Sequence, residues 1–404
     1  MSLFNKDTKP AAAAPRRKAA PKASPVVITG LGLACHAGDE TYALISSVLG
    51  QMSGVQISEE HKVKSNASGA NVQTRMAPVE DIYDIRAYVR MHLLSAAALA
   101  KIEDQLSGNV DTDKLLIICV VNPDLITHNG KVDSIPLQKY LIEEVQGLES
   151  ATFRILANNT SSSLNTLRAC IAELNEGKWQ AVIFGGADSL ISIDACLKLN
   201  KEERLNTIEK TEGVVPGEAA AFFLLQNKDE ADKHAMPILA YLRGVGVAAE
   251  PNARNADLEA TEGLSNAIGQ ALTQAGIEAS NIQGVVHNLG AETIQSLEWF
   301  QTTQAIWPRR VSEQQRIAVQ NGKIEQAEIP DDPIPQTLLP YMTMGEVGAA
   351  SLPMQLATAL AWMEYDAWQA RMGFPVRENI LICDTPDAPE RGALIMSTKL
   401  TEAA

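Results

Sequence analysis

The 404-residue chain is 46% apolar, 21% charged and only 5% aromatic, with 34 basic against 49 acidic side chains and a net charge of −15. That composition supports a large buried core in one very large domain or two ordinary ones, and it argues against general nucleic-acid binding, which needs clustered Lys and Arg to neutralise phosphates. Five cysteines, Cys35, Cys119, Cys170, Cys196 and Cys383, are too few and too scattered for a disulfide framework or a paired-thiolate metal site, so a reducing cytoplasm is the expected setting.

In chain order, residues 1–24 are rich in Ala, Pro, Lys and Arg and read as a disordered basic tail, with Lys6, Lys9, Arg16, Arg17, Lys18 and Lys22 opposed by Asp7 alone. The tail contributes +5, which leaves the remaining chain near −20. Arg16, Arg17 and Lys18 ahead of the apolar stretch 26–35 imitate a twin-arginine or lipoprotein export signal. Against that reading, Val26, Val27 and Ile28 are β-branched, Gly30 and Gly32 interrupt the run, and Pro15 and Pro21 break the approach to it. No apolar run reaches the roughly 18 to 20 residues that a membrane-spanning helix needs.

From Val26 onward, apolar β-rich runs alternate with helical patterns. Strands are predicted over 26–31, 115–121, 153–157, 181–184, 220–225 and 238–247, with helices over 85–106, 161–176 and 261–275. The alternation continues with a strand at 284–287, helices at 293–307 and 349–362, and strands at 380–383 and 393–397. Near-continuous apolar strands between helices indicate sheets covered on both faces. The charged stretch 228–237, closing in Pro237, marks a seam between an N-terminal half, 25–232, and a C-terminal half, 233–404. Four prolines and two aspartates over 329–340 read as a long exposed loop.

Residues 26–54 read VVITGLGLACHAGDETYALISSVLGQMSG, which resembles the opening strand, glycine turn and first helix of the β-ketoacyl synthases of the thiolase superfamily. Residues 159–188, NTSSSLNTLRACIAELNEGKWQAVIFGGAD, resemble the nucleophile turn, its helix and the following strand. Residues 213–225, GVVPGEAAAFFLL, are similar to the family's Gly-Glu turn and strand, and 272–286, LTQAGIEASNIQGVV, to the segment before its first catalytic histidine. Four matches in the family's order are specific where any one alone is weak. The resemblance implies an α/β, thiolase-like fold of two similar βαβαβαββ halves in a five-layer αβαβα arrangement. It also implies a homodimer, or a heterodimer with a related synthase, formed by pairing edge strands.

Decarboxylative condensation needs a thiolate at a helix N-terminus, where the dipole stabilises its charge. The resemblance places that nucleophile at Thr160, followed by Ser161, Ser162 and Ser163. A helix dipole contributes at most about 2 kcal/mol, too little to ionise an alcohol, so Thr160 needs a partnered base. Ser161 is a substitute nucleophile, and helix capping is the preferred reading of the serine run. Cys170, farther along the same helix, reads as a buried small hydrophobe.

The family's two histidines donate hydrogen bonds to the thioester carbonyl and assist loss of carbon dioxide. An ungapped reading places the first at Asn288, with His287 one residue earlier. A one-residue slip in a strand turns a side chain to the opposite face, so His287 substitutes only if the strand carries a bulge. The second histidine falls on Glu346 in YMTMGEVGAA, 341–350, or on Gly345 in the shifted register, and no histidine follows residue 287. A carboxylate there repels a developing enolate unless burial keeps it protonated. The family's lysine falls on Tyr341 or Pro340. Its glycine-rich gate is replaced at 384–391 by DTPDAPER, whose prolines and charges do not reproduce a flexible backbone.

Other patterns carry less. Gly30 and Gly32 imitate a dinucleotide-binding turn, but Cys35 takes the third glycine's place. No phosphate loop and no paired metal-ligating histidines appear, so neither a cofactor nor a metal is expected. Asp188 reads as a turn residue and Glu218 as a structural carboxylate. Acyl carrier proteins are acidic, and a chain near −20 disfavours docking them unless Arg86, Arg90 and Lys101 cluster. The expected function is that of a non-catalytic partner subunit or an accessory or adaptor protein, with a secretion-related partner as another setting. The alternative is an active acyltransferase of altered mechanism, using Thr160 or a neighbouring serine with His287 as base. A ligand-binding module using the old acyl tunnel is the third.

Overall fold

The computed structural model describes residues 24–80, 82, 86–106, 108–128, 131–157, 163–253, 261–308, 313–323 and 334–400. The basic tail up to residue 23 and the candidate nucleophiles Thr160 and Ser161 lie outside the described residues. The first half runs β1 (Val26–Cys35), α1 (Thr41–Leu49), α2 (Ala87–Leu106), β2 (Leu115–Val121), α3 (Ile135–Glu144), β3 (Thr152–Ala157), α4 (Leu164–Asn175), β4 (Ala181–Ser189), α5 (Ile193–Lys201) and β5 (Glu218–Asn227). The charged seam folds as α6 (Lys228–Lys233). The second half runs β6 (Ala240–Ala249), α7 (Gly263–Ala275), β7 (Gly284–His287), α8 (Thr293–Ile306), α9 (Glu313–Gln320), β8 (Gln336–Leu338), α10 (Tyr341–Met344), α11 (Ser351–Ala370), β9 (Asn379–Asp384) and β10 (Glu390–Ser397).

The strand order is β3-β2-β4-β5-β1 in the first half and β8-β7-β9-β10-β6 in the second. Within the first, β2 is parallel to β3 and β4, while β4–β5 and β5–β1 are antiparallel. The same senses recur, strand for strand, among β8, β7, β9, β10 and β6. Adding five to each strand number therefore converts one half into the other. The halves join along β1 and β6 through the pairs Val27↔Tyr241 and Ile28↔Ala240.

All seven residues of β2, LLIICVV, are buried, as expected of a strand covered on both faces. Leu116, Ile118 and Val120 share one core with α4 and α11, while Leu115, Ile117 and Cys119 share another with α2 and α3. In the second half, Ile380 and Ile382 of β9 belong to the α11 core and Leu381 and Cys383 to the core under α7. Thirteen of the twenty residues of α11 are buried, because a helix between two sheets has no solvent face. The layers are thus α2/α3, sheet, α4/α11, sheet, α7/α8, the five-layer αβαβα arrangement.

Two local differences from the sequence reading have steric causes. The strand β1 continues through Gly30 and Gly32 to Cys35 without a turn, and a Cβ on Gly32 would lie 1.8 Å from the Ala98 carbonyl oxygen. Glycine there lets α2 approach the strand. Likewise β4 runs past Phe184 to Ser189, so Asp188 is a strand residue rather than a turn residue. The hairpin Gln56–Lys64 with Asn71–Met76 carries no strand signature in the sequence, because its first strand is mostly exposed and charged.

Candidate functional site

Parallel strands bring their C-terminal ends to one edge of a sheet, where α/β folds place their clefts. Here β2 and β4 of one half and β7 and β9 of the other end at a shared cleft of about 930 Å³, which the starts of α4 and α11 also line through Ser163 and Ser351. The pairs Val121↔Ala187 and His287↔Cys383 make Asn122 equivalent to Asn288, and Asp188 equivalent to Asp384. All four line the cleft. The duplicated fold thus presents the same amide and carboxylate positions twice.

Asn288 is buried, and its Oδ1 accepts hydrogen bonds from the Thr385 N–H at 3.1 Å and the Thr385 hydroxyl at 3.0 Å. Glu346 sits in a tight turn between Gly345 and Gly348, both with positive φ. Its backbone N–H donates to the Val215 carbonyl, and its own carbonyl accepts from Gly217, so the GVVPGE and MGEVG segments are stitched together. Its Oε1 accepts from the Gly348 N–H at 3.0 Å and the Ser351 hydroxyl at 3.2 Å. Burial pushes this carboxyl up to about 7, and the charge of Asp387 adds to the rise. Asp188 accepts from the N–H groups of Ser189 at 2.8 Å and Ala349 at 2.9 Å, and burial also pushes it up to about 7.

His287 is not brought into the cleft. Its strand pairs with β9 in unbroken register from Gly284 to His287, so no bulge turns the ring around. The imidazole packs 4.9 Å from the Trp299 ring, and neither nitrogen has a hydrogen-bond partner among the described residues. Burial, helped by the charge of Arg391, pulls its pKa down to about 3. Tyr341 is buried; its hydroxyl accepts from the Val215 N–H at 2.9 Å and donates to the Gly213 carbonyl at 3.2 Å. Ser163 precedes α4 but makes no capping hydrogen bond. Cys170 is buried, as are the other four cysteines, and burial pushes its thiol up to about 12.

Of the segment 384–391, residues 385–389 form a strapped loop between β9 and β10. Arg204 makes a two-pronged pair with Glu292 at 2.8 and 2.7 Å and another with Asp387 at 2.8 and 3.1 Å. Arg391 is buried, pairs with Glu298 at 2.6 and 3.0 Å, and donates to the carbonyls of Pro386 and Ala388. Glu218 is a structural hub: it binds Arg90, the Val79 N–H and the Ser189 hydroxyl, with no exposure to solvent. That pairing buries Arg90, and Lys101 is engaged by Asp39 and Glu40, so Arg86, Arg90 and Lys101 do not form a basic docking patch. The sequence reading missed His61, which reaches the cleft from the hairpin with Nδ1 2.9 Å from the Ser58 hydroxyl. Among the described residues no cluster suited to a metal ion occurs, and no helix is long and apolar enough to cross a membrane.

The chain matches no protein-family profile and no curated protein. Solved structures share its fold at low identity. The ishigamide ketosynthase/chain length factor superposes with a TM-score of 0.67 at 14% identity, covering 94% of this chain and all of that one. A β-ketoacyl synthase from Burkholderia phymatum gives 0.66 at 15% identity, over 93% and 99% of the two chains. A ketosynthase in complex with its chain length factor from Xenorhabdus doucetiae gives 0.64 at 16%, over 95% and 100%. These likenesses establish a thiolase-like ketosynthase fold.

Proposed function

We propose that this chain is a catalytically degenerate ketosynthase-like protein that works as a non-catalytic partner subunit, or as an accessory or adaptor protein, through protein contact. The observation that carries the reading is the fate of the two histidine positions. Asn288 and Glu346 stand there, each with its side-chain oxygen committed to holding a neighbouring loop, while His287 is packed in the core. An amide and a carboxylate with those duties do not replace two imidazole donors.

The partner surface we favour is β3. All six of its residues are at least partly exposed, although β2 beside it is wholly buried. An edge strand offers unpaired N–H and C=O groups to a second chain. The opposite edge, β8, is three residues long and flanked by Pro335 and Pro340. A homodimer or a heterodimer with a related synthase would extend the sheet through β3. The net charge of −15 makes an acyl carrier protein the less favoured partner, and the five free thiols favour a reducing cytoplasm.

One observation favours the second reading, an active acyltransferase using Thr160 or Ser161. With its carboxyl pushed up to about 7, Glu346 is protonated in part at neutral pH and able to donate a hydrogen bond. Intact-mass measurement after incubation with acyl carrier protein and acyl-CoA donors separates the two. We expect an unmodified chain; a stable acyl adduct on Thr160 or Ser161 would overturn the non-catalytic reading.

A further inference from the structure

The cleft is lined by eight carboxylate side chains against three cations, Arg86, Lys198 and Arg204. Two of those cations are spent inside the chain: Lys198 pairs with Asp124 at 3.0 Å, and Arg204 with Glu292 and Asp387. Glu346 and Asp188 face the cleft with hydrogen-bond donors but, among the described residues, without an ion pair. The turn leading into α11 is where an anionic ligand would seek N–H donors. Those of Gly348 and Ala349 are already taken by Glu346 and Asp188. A Cβ on Gly348 would stand 2.0 Å from Asp188 Oδ2, so the carboxylate is seated directly against the turn.

Leu125, Ile193, Val214 and Leu352 give the walls apolar stretches, between hydroxyl and amide side chains such as Ser163, Ser189 and Asn288. One helical turn below Ser351, on the same face of α11, Gln355 is 1% exposed, and neither amide atom has a partner among the described residues. A concave site with apolar stretches along its walls, an excess of carboxylates over cations, and Glu346 and Asp188 without an ion pair among the described residues is complementary to one ligand chemistry. We propose that the cleft binds a small organic cation, an amine carried on an apolar body, and rejects anionic thioesters. This rests on the reading that the cleft does not process acyl thioesters. An acyl adduct in the mass measurement would remove that reading, whereas the titration below bears on the cation site alone.

The test titrates the full chain with two dyes that share a fluorophore and differ in charge, dansylcadaverine and dansylglycine. We expect the amine dye to bind one per chain and, at about pH 8, at least tenfold more tightly than the acid dye. Its affinity should weaken several-fold at about pH 5.5, where Glu346 and Asp188 take up protons. Glu346→Gln keeps the acceptor for Gly348 and removes the charge, and should weaken the amine dye about tenfold. If that variant melts abnormally, Asp194→Asn, on the exposed first turn of α5, is the second probe, with an expected loss of about threefold. Equal affinity for the two dyes, or amine binding that survives whichever of these substitutions leaves the fold intact, would overturn the proposal.

Discussion

Replacing Arg204 by methionine keeps the length of the stem and deletes the charge that fastens the 385–389 loop between β9 and β10. The guanidinium makes two hydrogen bonds to Glu292, two to Asp387 and a long one of 3.5 Å to the exposed Glu202. The side chains of Arg204 and Glu292 are 15% and 13% exposed, so their pair lies in the range of about 1.5–3 kcal/mol for a charged hydrogen bond in a protein interior. Asp387 is 41% exposed, and solvent screening holds its share to about 1 kcal/mol or less. The loss is therefore about 3 kcal/mol, concentrated in the loop, because Arg391 still anchors the base of the strap. Every 1.4 kcal/mol is tenfold in an opening equilibrium, so exchange of the Thr385 amide, held by Asn288, should accelerate roughly 100-fold. Hydrogen exchange read residue by residue checks this. Unchanged protection at Thr385 would refute the clamp. Equal loss at Ile382 and Leu394, in the sheet core, would show that Arg204 supports the whole fold instead.

Arg90→Met strands the fully buried Glu218 and should cost about 3–5 kcal/mol, whereas Arg90→Met with Glu218→Gln should recover part of it. For a 404-residue chain at about 2.1 cal/mol/K per residue, the single change lowers Tm by ~5 °C in calorimetry. His287→Phe removes two unpartnered buried nitrogens and should stabilise by about 1 kcal/mol at neutral pH in urea unfolding. It should also flatten an acid limb: the unfolded ring titrates near 6.5 and the folded one at about 3, so the native chain loses stability as pH falls through that window. Glu346 acts with the opposite sign. Its folded carboxyl is raised from 4.5 to about 7, so its contribution is complete below 4.5 and is lost as pH rises through 7. Relative to the native chain, Glu346→Gln should therefore gain on the order of 3 kcal/mol between the two ends of that range.

What the sequence makes legible follows from which interactions are local. The strands at 115–121 and 284–287 agree with prediction to the residue, since a run such as LLIICVV fits only a sheet covered on both faces. Strand alternation alone also anticipates that His287 and Asn288 point to opposite faces. The hairpin carrying His61 escapes, because its charged first strand is shaped by packing against distant elements rather than by its own pattern. Asp188 escapes for a related reason. Two glycines ahead of it imitate a turn, yet Gly186 is needed so that the Ala349 carbonyl, 2.7 Å from where its Cβ would be, can come against the strand.

The clamp is less legible still, since Arg204 and Asp387 lie 183 residues apart, and nothing near either announces the other. The duplicated strand order supplies the missing geometry: once β2–β4 and β7–β9 are seen as equivalent pairs, Asn122, Asn288, Asp188 and Asp384 must meet around one cleft whatever their chemistry. Topology fixes the meeting place, and the side chains then decide what is received there. Glu346 and Asp188, seated on the N–H groups before α11 and raised by burial to about 7, present negative charge there only as pH rises through that value. If the cleft takes a cation as proposed, ligand charge, rather than residual acyl transfer, is the property to measure first, because a shared fold leaves the chemistry of the site to its side chains.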